Sequence, residues 1–327
     1  GREVRRYGTY MRQAEIDAKL IVRGTWNLES DYNQRLLEYI GDQDYLIDLL
    51  SLHCYTYPPP LANAGEFDTY EVLAGAELVE KQILRAAAAI DLYAAGKKDV
   101  GIIVDEYGAH HHETLFGNFP IREVPNGLEQ PSFLRDAILA ARVQHVFMRH
   151  ADRVAMANLS TSMNVLHTAL KTDGPTLIRT PTYHVLDMLK EHMNAASIRV
   201  KNDAGTFEFG SQAGSHSAPD PDLYTSGGAG GDDSGATEHG ESRSLPNVDV
   251  VASATPDGQQ VFVSIVNPNL YGAVDVRLAI QGEAGYRYGK VFASVLKGAG
   301  PLEENDSEQP DRVHPAAVPV KARSDGW

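Results

Sequence analysis

Thiols are almost absent from this 327-residue chain: Cys54 is its single cysteine, which excludes an internal disulfide and a cluster of thiolate metal ligands. No apolar run reaches the length of about 18 residues that marks a membrane-spanning helix, and the opening GREVRRYGTYMRQ lacks the pattern of a secretory signal. That opening also lacks an initiator methionine, so the sequence is expected to begin inside a longer protein. Positive charge is scarce as well. With 29 Lys and Arg against 44 Asp and Glu, the net charge is -15, which disfavours sequence-independent binding to nucleic acid or to an anionic membrane and leaves neutral partners. The basic residues are mostly arginine, and an acidic surface of this kind suits a soluble protein of a salty cytoplasm.

What is present is ordinary globular material. At 43% apolar residues the chain can bury a sizeable core and is expected to hold more than one domain. Residues 1 to 16 have helical spacing, AKLIVRG (18 to 24) is a short apolar strand closed by glycine, YNQRLLEYI reads as a helix, and IDLLSLHCYT (47 to 56) reads as a second strand stopped by Pro58, Pro59 and Pro60. From an N-cap at Thr69 one long helix is predicted to Gly96, with Val72, Ala76, Val79, Ile83, Ala86 and Ile90 on its buried face. VGIIVDE (100 to 106) has no polar alternation, as expected of a parallel strand covered on both faces. Ser132 is predicted to cap a helix with Asp136 in its first turn, and RVAMANL (153 to 159) is a fourth strand. The rhythm is that of a parallel α/β sheet. Residues 211 to 245 lose all apolar periodicity and read as a disordered insertion; NVDVVASATPDGQQVFVSIVNPN then reads as two antiparallel strands around a Pro-Asp-Gly turn, and no structure is assigned to the Pro- and acid-rich tail from 300 to 327.

Parallel α/β folds gather functional groups at the carboxyl ends of their strands. Here His53 and Tyr55 follow one strand, Asp105, Glu106 and Tyr107 the next, and Asn158 the last. Two readings of IIVDEYGAHHHE stand side by side: Asp105 and Glu106 supply a catalytic carboxylate, or they mark where a strand meets water. A metal site at His110, His111, His112 and Glu113 is a third, against which consecutive histidines on an extended segment alternate sides and cannot all face one ion. His53 and Tyr55 equally fit a core histidine and a packed ring.

The order SLHCYT, IIVDEYG, FLRDAILAARVQHVFMRHADRVAMANLSTSMNVLHTAL, RTPTYHVLDMLKEH resembles the α-L-arabinofuranosidases of glycoside hydrolase family 51 over roughly residues 1 to 200, and the β region after 245 resembles the family's C-terminal sandwich. The resemblance implies an α/β plus all-β chain: residues 1–196 as the C-terminal half of a (β/α)8 TIM barrel with about four of its strands, and residues 197–327 as an antiparallel β-sandwich holding the insertion. It implies a retaining mechanism in which two carboxyl groups flank the glycosidic bond. Glu106 falls on the nucleophile, Tyr55 on a tyrosine that orients it, His53 lines the same rim, Tyr107 stands where the family has tryptophan as a wall for the sugar, and Asn158 completes the substrate-binding set. The substrate implied is a terminal α-L-arabinofuranosyl residue of arabinan or arabinoxylan, with no cofactor and no metal.

Two further departures qualify the resemblance. Thr161 replaces a glutamine, and the family's acid/base, an Asn-Glu pair on an earlier strand, has no counterpart; Glu304 and Asn305 stand in reversed order in the tail. The chain is therefore expected to be a nucleophile-bearing fragment that seeks a complementing N-terminal half or forms a homo-oligomer, since half a barrel exposes strand edges. The alternative is a non-catalytic carbohydrate-binding or assembly protein derived from such an enzyme.

Overall fold

The computed structural model describes residues 1–25, 30–58, 66–93, 99–111, 114, 128–209, 243–280 and 289–320. Its first part alternates helix and strand: α1 (Arg2–Ala14), β1 (Ile21–Arg23), α2 (Tyr32–Ile40), β2 (Leu49–Thr56), α3 (Glu66–Leu73), α4 (Gly75–Tyr93), β3 (Gly101–Ala109), α5 (Leu134–Arg149) and β4 (Val154–Leu159). The four strands pair in parallel in the order β1-β2-β3-β4. One face is apolar because every second residue is: Leu50, Leu52 and Cys54 of β2 and Ile102 and Val104 of β3 are buried against Val79, Ile83 and Ala86 of α4 and Leu139, Val143 and Val146 of α5. Burying each large aliphatic side chain contributes about 1.5–3 kcal/mol, so this layer holds the strand ends in place. The Cys54 thiol lies in it, and burial, with Asp105 nearby, pushes its pKa far up, making it an inert packing group.

The single long helix expected from Thr69 is two. Thr69 lies inside α3, and the chain breaks at Ala74 before restarting at Gly75. A Cβ at Gly75 would collide with the Thr56 side chain, so the break brings helix backbone against the end of β2, a contact the apolar periodicity does not encode. The predicted Ser132 cap is also corrected. Asp136 reaches back to accept the Phe133 N–H (2.9 Å), while the buried Ser132 hydroxyl has no hydrogen-bond partner among the described residues.

After β4 comes a hairpin that the sequence reading missed, β5 (Leu170–Asp173) and β6 (Thr176–Arg179), turning at Gly174 with φ +55°. Helix α6 (Pro181–Leu189) follows, its N-terminus capped by Thr180 Oγ1, which accepts the Tyr183 N–H. β7 (Ala196–Ile198), β10 (Asp249–Ala254) and β11 (Val261–Val266) form an antiparallel sheet in the order β11-β10-β7, and the Pro-Asp-Gly turn lies between β10 and β11 as expected. β8 (Thr206–Phe209) pairs with β9 (Arg243–Pro246), and β12 (Ala293–Leu296) with β13 (Pro315–Val318). The expected disordered insertion lies almost wholly outside the described residues. The tail, to which no structure was assigned, is built into the fold up to residue 320: the carbonyls of Glu303 and Pro301 accept the Leu134 and Arg135 N–H groups that open α5. Among the described residues no helix is long and apolar enough to cross a membrane.

The two sheet systems are joined through Asp249. Its carboxylate takes hydrogen bonds from Arg142 Nε (3.2 Å), His145 Nδ1 (3.1 Å) and Arg149 (2.9 Å), all on α5, and His145 Nε2 reaches Ser264 Oγ of β11 at 2.7 Å. Burial alone would raise the Asp249 carboxyl, but His145 first, then Arg149 and Arg142, outweigh it and hold its pKa at about 2.

Candidate active site

Strict alternation along β3 would place Ile103, Asp105 and Tyr107 on the open face and send Glu106 into the helix layer with Val104. A β-bulge reverses this. The register runs Leu52↔Val104 and then His53↔Glu106, and on the other side Val104↔Ala157 and then Tyr107↔Leu159. Two residues of β3, Asp105 and Glu106, thus oppose one on each neighbour, His53 on β2 and Asn158 on β4. Both carboxylates stay half-exposed on the open face, and Tyr107 turns under the sheet.

The open face of β2 supplies their partners by its period of two: Ser51, His53 and Tyr55. Ser51 Oγ donates to Asp105 Oδ2 at 2.7 Å. His53 lies between the two acids, with Nε2 3.3 Å from Asp105 Oδ1 and Nδ1 3.4 Å from Glu106 Oε2, and its side chain is 32% exposed against 43% for Glu106. The Tyr55 hydroxyl is 2.8 Å from Glu106 Oε2 and 2.6 Å from Ser160 Oγ, just beyond β4. Burial pushes the Tyr55 hydroxyl well above the usual tyrosine range; the Ser160 hydrogen bond works the other way, and Glu106 adds to the rise. Tyr55 is therefore a permanent proton donor at ordinary pH, aimed at a carboxylate.

The bulge thus brings Glu106, His53 and Tyr55 together, and Asn158 stands exposed across from the two acids on β4. Tyr107 does not join them. It is 1% exposed, edge-on to Phe147 with centroids 5.2 Å apart, and its hydroxyl accepts from Gln144 Nε2 (2.6 Å). Burial pushes its pKa up to about 12. The sugar-facing wall expected of Tyr107 is corrected: it belongs to the helix layer. Thr161 likewise spends its hydroxyl on the Val165 carbonyl at 2.9 Å. The aromatic groups beside Tyr55 are Tyr57 and His110, with His110 5.8 Å from Tyr55 and 5.9 Å from Tyr57 between ring centroids. The serines went unnoticed in the sequence, although the alternation Ser51, His53, Tyr55, Tyr57 was the signal for the first of them.

The histidine run divides. His110 packs on the tyrosines, whereas His111 is buried, stacked on Phe133, with Nε2 3.1 Å from Asp136 Oδ2. His112 and Glu113 lie outside the described residues, and among the described residues no cluster of three or more His, Cys, Asp or Glu could hold a metal ion. Beneath the rim, His167 Nδ1 accepts the Ala109 N–H at 2.9 Å, so Nε2 carries the proton and donates to Thr182 Oγ1 at 2.8 Å. Gly108, at φ +151°, lets this ring approach: a Cβ there would lie 2.6 Å from His167 Cβ.

The family model of the α-L-arabinofuranosidase C-terminal domain matches residues 105–326. An intracellular exo-α-L-arabinofuranosidase of Bacteroides ovatus is 26% identical over 322 residues, covering 95% of this chain and 54% of the relative. The crystal structure of a GH51 arabinofuranosidase from Xanthomonas axonopodis pv. citri superposes with a TM-score of 0.72 at 25% identity, over 96% of this chain and 56% of that one. A thermostable GH51 α-L-arabinofuranosidase from Thermotoga petrophila gives a TM-score of 0.72 at 23% identity, over 99% and 58%, a likeness of fold. The chain spans about half the length of the relatives it matches.

Proposed function

The chain belongs to the α-L-arabinofuranosidase C-terminal domain family, and from that premise we propose that it carries the nucleophile side of a retaining glycoside hydrolase that releases terminal α-L-arabinofuranosyl residues from arabinan or arabinoxylan. The observation that carries the reading is the bulge that turns Glu106 to the open face and meets it with the Tyr55 hydroxyl and the His53 imidazole. A nucleophilic carboxylate works ionised, and hydrogen-bond donors around it favour that state. In the first step a Glu106 oxygen forms a bond to the anomeric carbon as the bond to the leaving oxygen breaks; that oxygen takes a proton from the general acid. Water then displaces the glutamyl ester, giving its proton to the same group acting as base, and the sugar leaves with its anomeric configuration retained. Tyr55, held protonated, steers one Glu106 oxygen and leaves the other free for attack.

We assign the acid/base to a residue that this sequence does not include, because the Asn-Glu pair is missing and the relatives are about twice as long. The parallel order β1-β2-β3-β4, without a switch of direction, supports reading residues 1–196 as an arc of a (β/α)8 barrel, with the antiparallel region beyond it as the accessory sandwich. The outer strands of that arc, where Ile21 and Met156 are each 51% exposed, are the surfaces that a complementing half or a second copy would cover. The Bacteroides ovatus relative is described as intracellular, and we place this protein in the cytoplasm on that likeness.

The test compares nitrophenol release from 4-nitrophenyl α-L-arabinofuranoside, whose good leaving group reduces the need for acid catalysis, by the chain and by Glu106→Ala. The expected result is release by the chain that falls by roughly 10³-fold or more in the variant. Equal rates would favour a carbohydrate-binding role without catalysis.

A further inference from the structure

Tyr55 Oη has one proton and two neighbours, and the chemistry of those neighbours fixes which way the hydrogen bonds run. Glu106, while ionised, only accepts, so the Tyr55 proton goes to Glu106 Oε2 at 2.8 Å. Ser160 Oγ, 2.6 Å away, must then be the donor to the Tyr55 oxygen. Ser160 is held for this role. It is buried just beyond the end of β4, and its backbone N–H donates to the Tyr107 carbonyl at 3.0 Å, which ties it to β3, the strand that bears Glu106. The relay therefore draws one group from each of three neighbouring chain segments.

We propose that Ser160 is a positioning residue for the reaction: its hydroxyl, donated to Tyr55, orients the Tyr55 O–H bond toward Glu106 and strengthens that hydrogen bond. The inference rests on the assignment of Glu106 as nucleophile. A hydroxyl rotor without a second partner samples both in-plane positions of the phenol, whereas a donor on one lone pair leaves one productive direction for the proton. Hydrogen bonds in a chain also polarise one another, so a donated bond at the oxygen makes its own O–H a better donor. Ser160 acts on the carboxylate through Tyr55 and has no direct step in the chemistry.

Ser160→Ala removes one hydroxyl, and the expected fall in kcat on an aryl α-L-arabinofuranoside is about 3- to 10-fold, the range set by one neutral hydrogen bond, with KM within about 2-fold. Ser160→Thr, which keeps the hydroxyl, restores most of the loss. The same substitution made on Tyr55→Phe has no further effect, because the group through which Ser160 acts is gone. An equal loss from Ser160→Ala with and without Tyr55, or no loss at all, overturns the proposal. A proton NMR measurement reads the relay without catalysis: a slowly exchanging hydroxyl proton correlated to the Tyr55 ring is expected in the wild type and lost or broadened in Ser160→Ala. An unchanged resonance overturns the relay even in an inactive chain. Failure of the underlying nucleophile assignment reads differently, as an intact relay in a protein whose Glu106→Ala variant turns over substrate at the wild-type rate.

Discussion

At the scale of single residues, the site depends on where one extra residue is inserted. Because Asp105 and Glu106 share a single opposing position on each neighbouring strand, the chain shows two consecutive carboxylates on one face and then buries the next aromatic. Tyr107→Phe should therefore cost about 1 kcal/mol of stability through its lost bond to Gln144, measured by denaturant unfolding, and leave turnover unchanged. A large fall in kcat with unchanged stability would return Tyr107 to the substrate side. The sequence made Glu106, His53 and Tyr55 legible because polar groups at the end of an apolar run stand out. It did not reveal the direction of Tyr107, since a bulge leaves no mark in composition, nor Ser160, since an isolated serine after a strand is common.

At the scale of elements, the end of β3 rests on a buried polar layer. His167 accepts from Ala109 N–H and is neutral in the fold: burial lowers its pKa, Asp136 opposes, His111 adds to the lowering, and the result is about 4 against an ordinary 6.5. An unfolded histidine takes up a proton below 6.5 while the folded one does not. The stabilisation is thus complete above about pH 6.5 and is lost as pH falls toward 4, on the order of 3 kcal/mol in all. His167→Gln should flatten the dependence of Tm on pH across that window; an unaltered slope would show that the ring is protonated in the fold. Gly108→Ala should lower stability by about 1–3 kcal/mol, because its Cβ meets His167 Cβ at 2.6 Å, and a Tm equal to wild type would contradict the close approach. Strands β1 to β4, β10 and β11 and helices α2 and α5 were legible from their apolar spacing. The break between α3 and α4 was not, because the stripe from Val72 to Ile90 runs through it; the hairpin at Asp173 and Gly174 carried a turn signal that passed unread.

Across the whole molecule, α5 is the shared element. One flank packs on the parallel sheet, its N-terminus is closed by the tail at Pro301 and Glu303, and Arg142, His145 and Arg149 grip Asp249 of the antiparallel sheet. The Asp249 carboxyl is held at about 2 against an ordinary 3.8, so its contribution is complete above about pH 3.8 and fades as pH falls toward 2, on the order of 2 kcal/mol. Asp249→Asn should abolish that acid-limb loss and, by putting a neutral amide where a carboxylate faces the buried Arg142 guanidinium, lower Tm at neutral pH. Calorimetry that shows the wild-type acid limb in the variant would contradict this account. Distant contacts of this kind, and the use of the tail as a cap, connect residues a hundred or more positions apart, which no local pattern encodes.

The central claim is that Glu106 makes a covalent bond to the sugar. It is tested most directly by exposing the protein to an activated aryl α-L-arabinofuranoside whose glycosyl-enzyme ester breaks down slowly, then locating the added mass by peptide mapping. The account predicts one pentosyl group esterified to Glu106 and none in Glu106→Ala. An adduct on Asp105, or a protein that releases the aryl group while Glu106 stays unmodified, would contradict it.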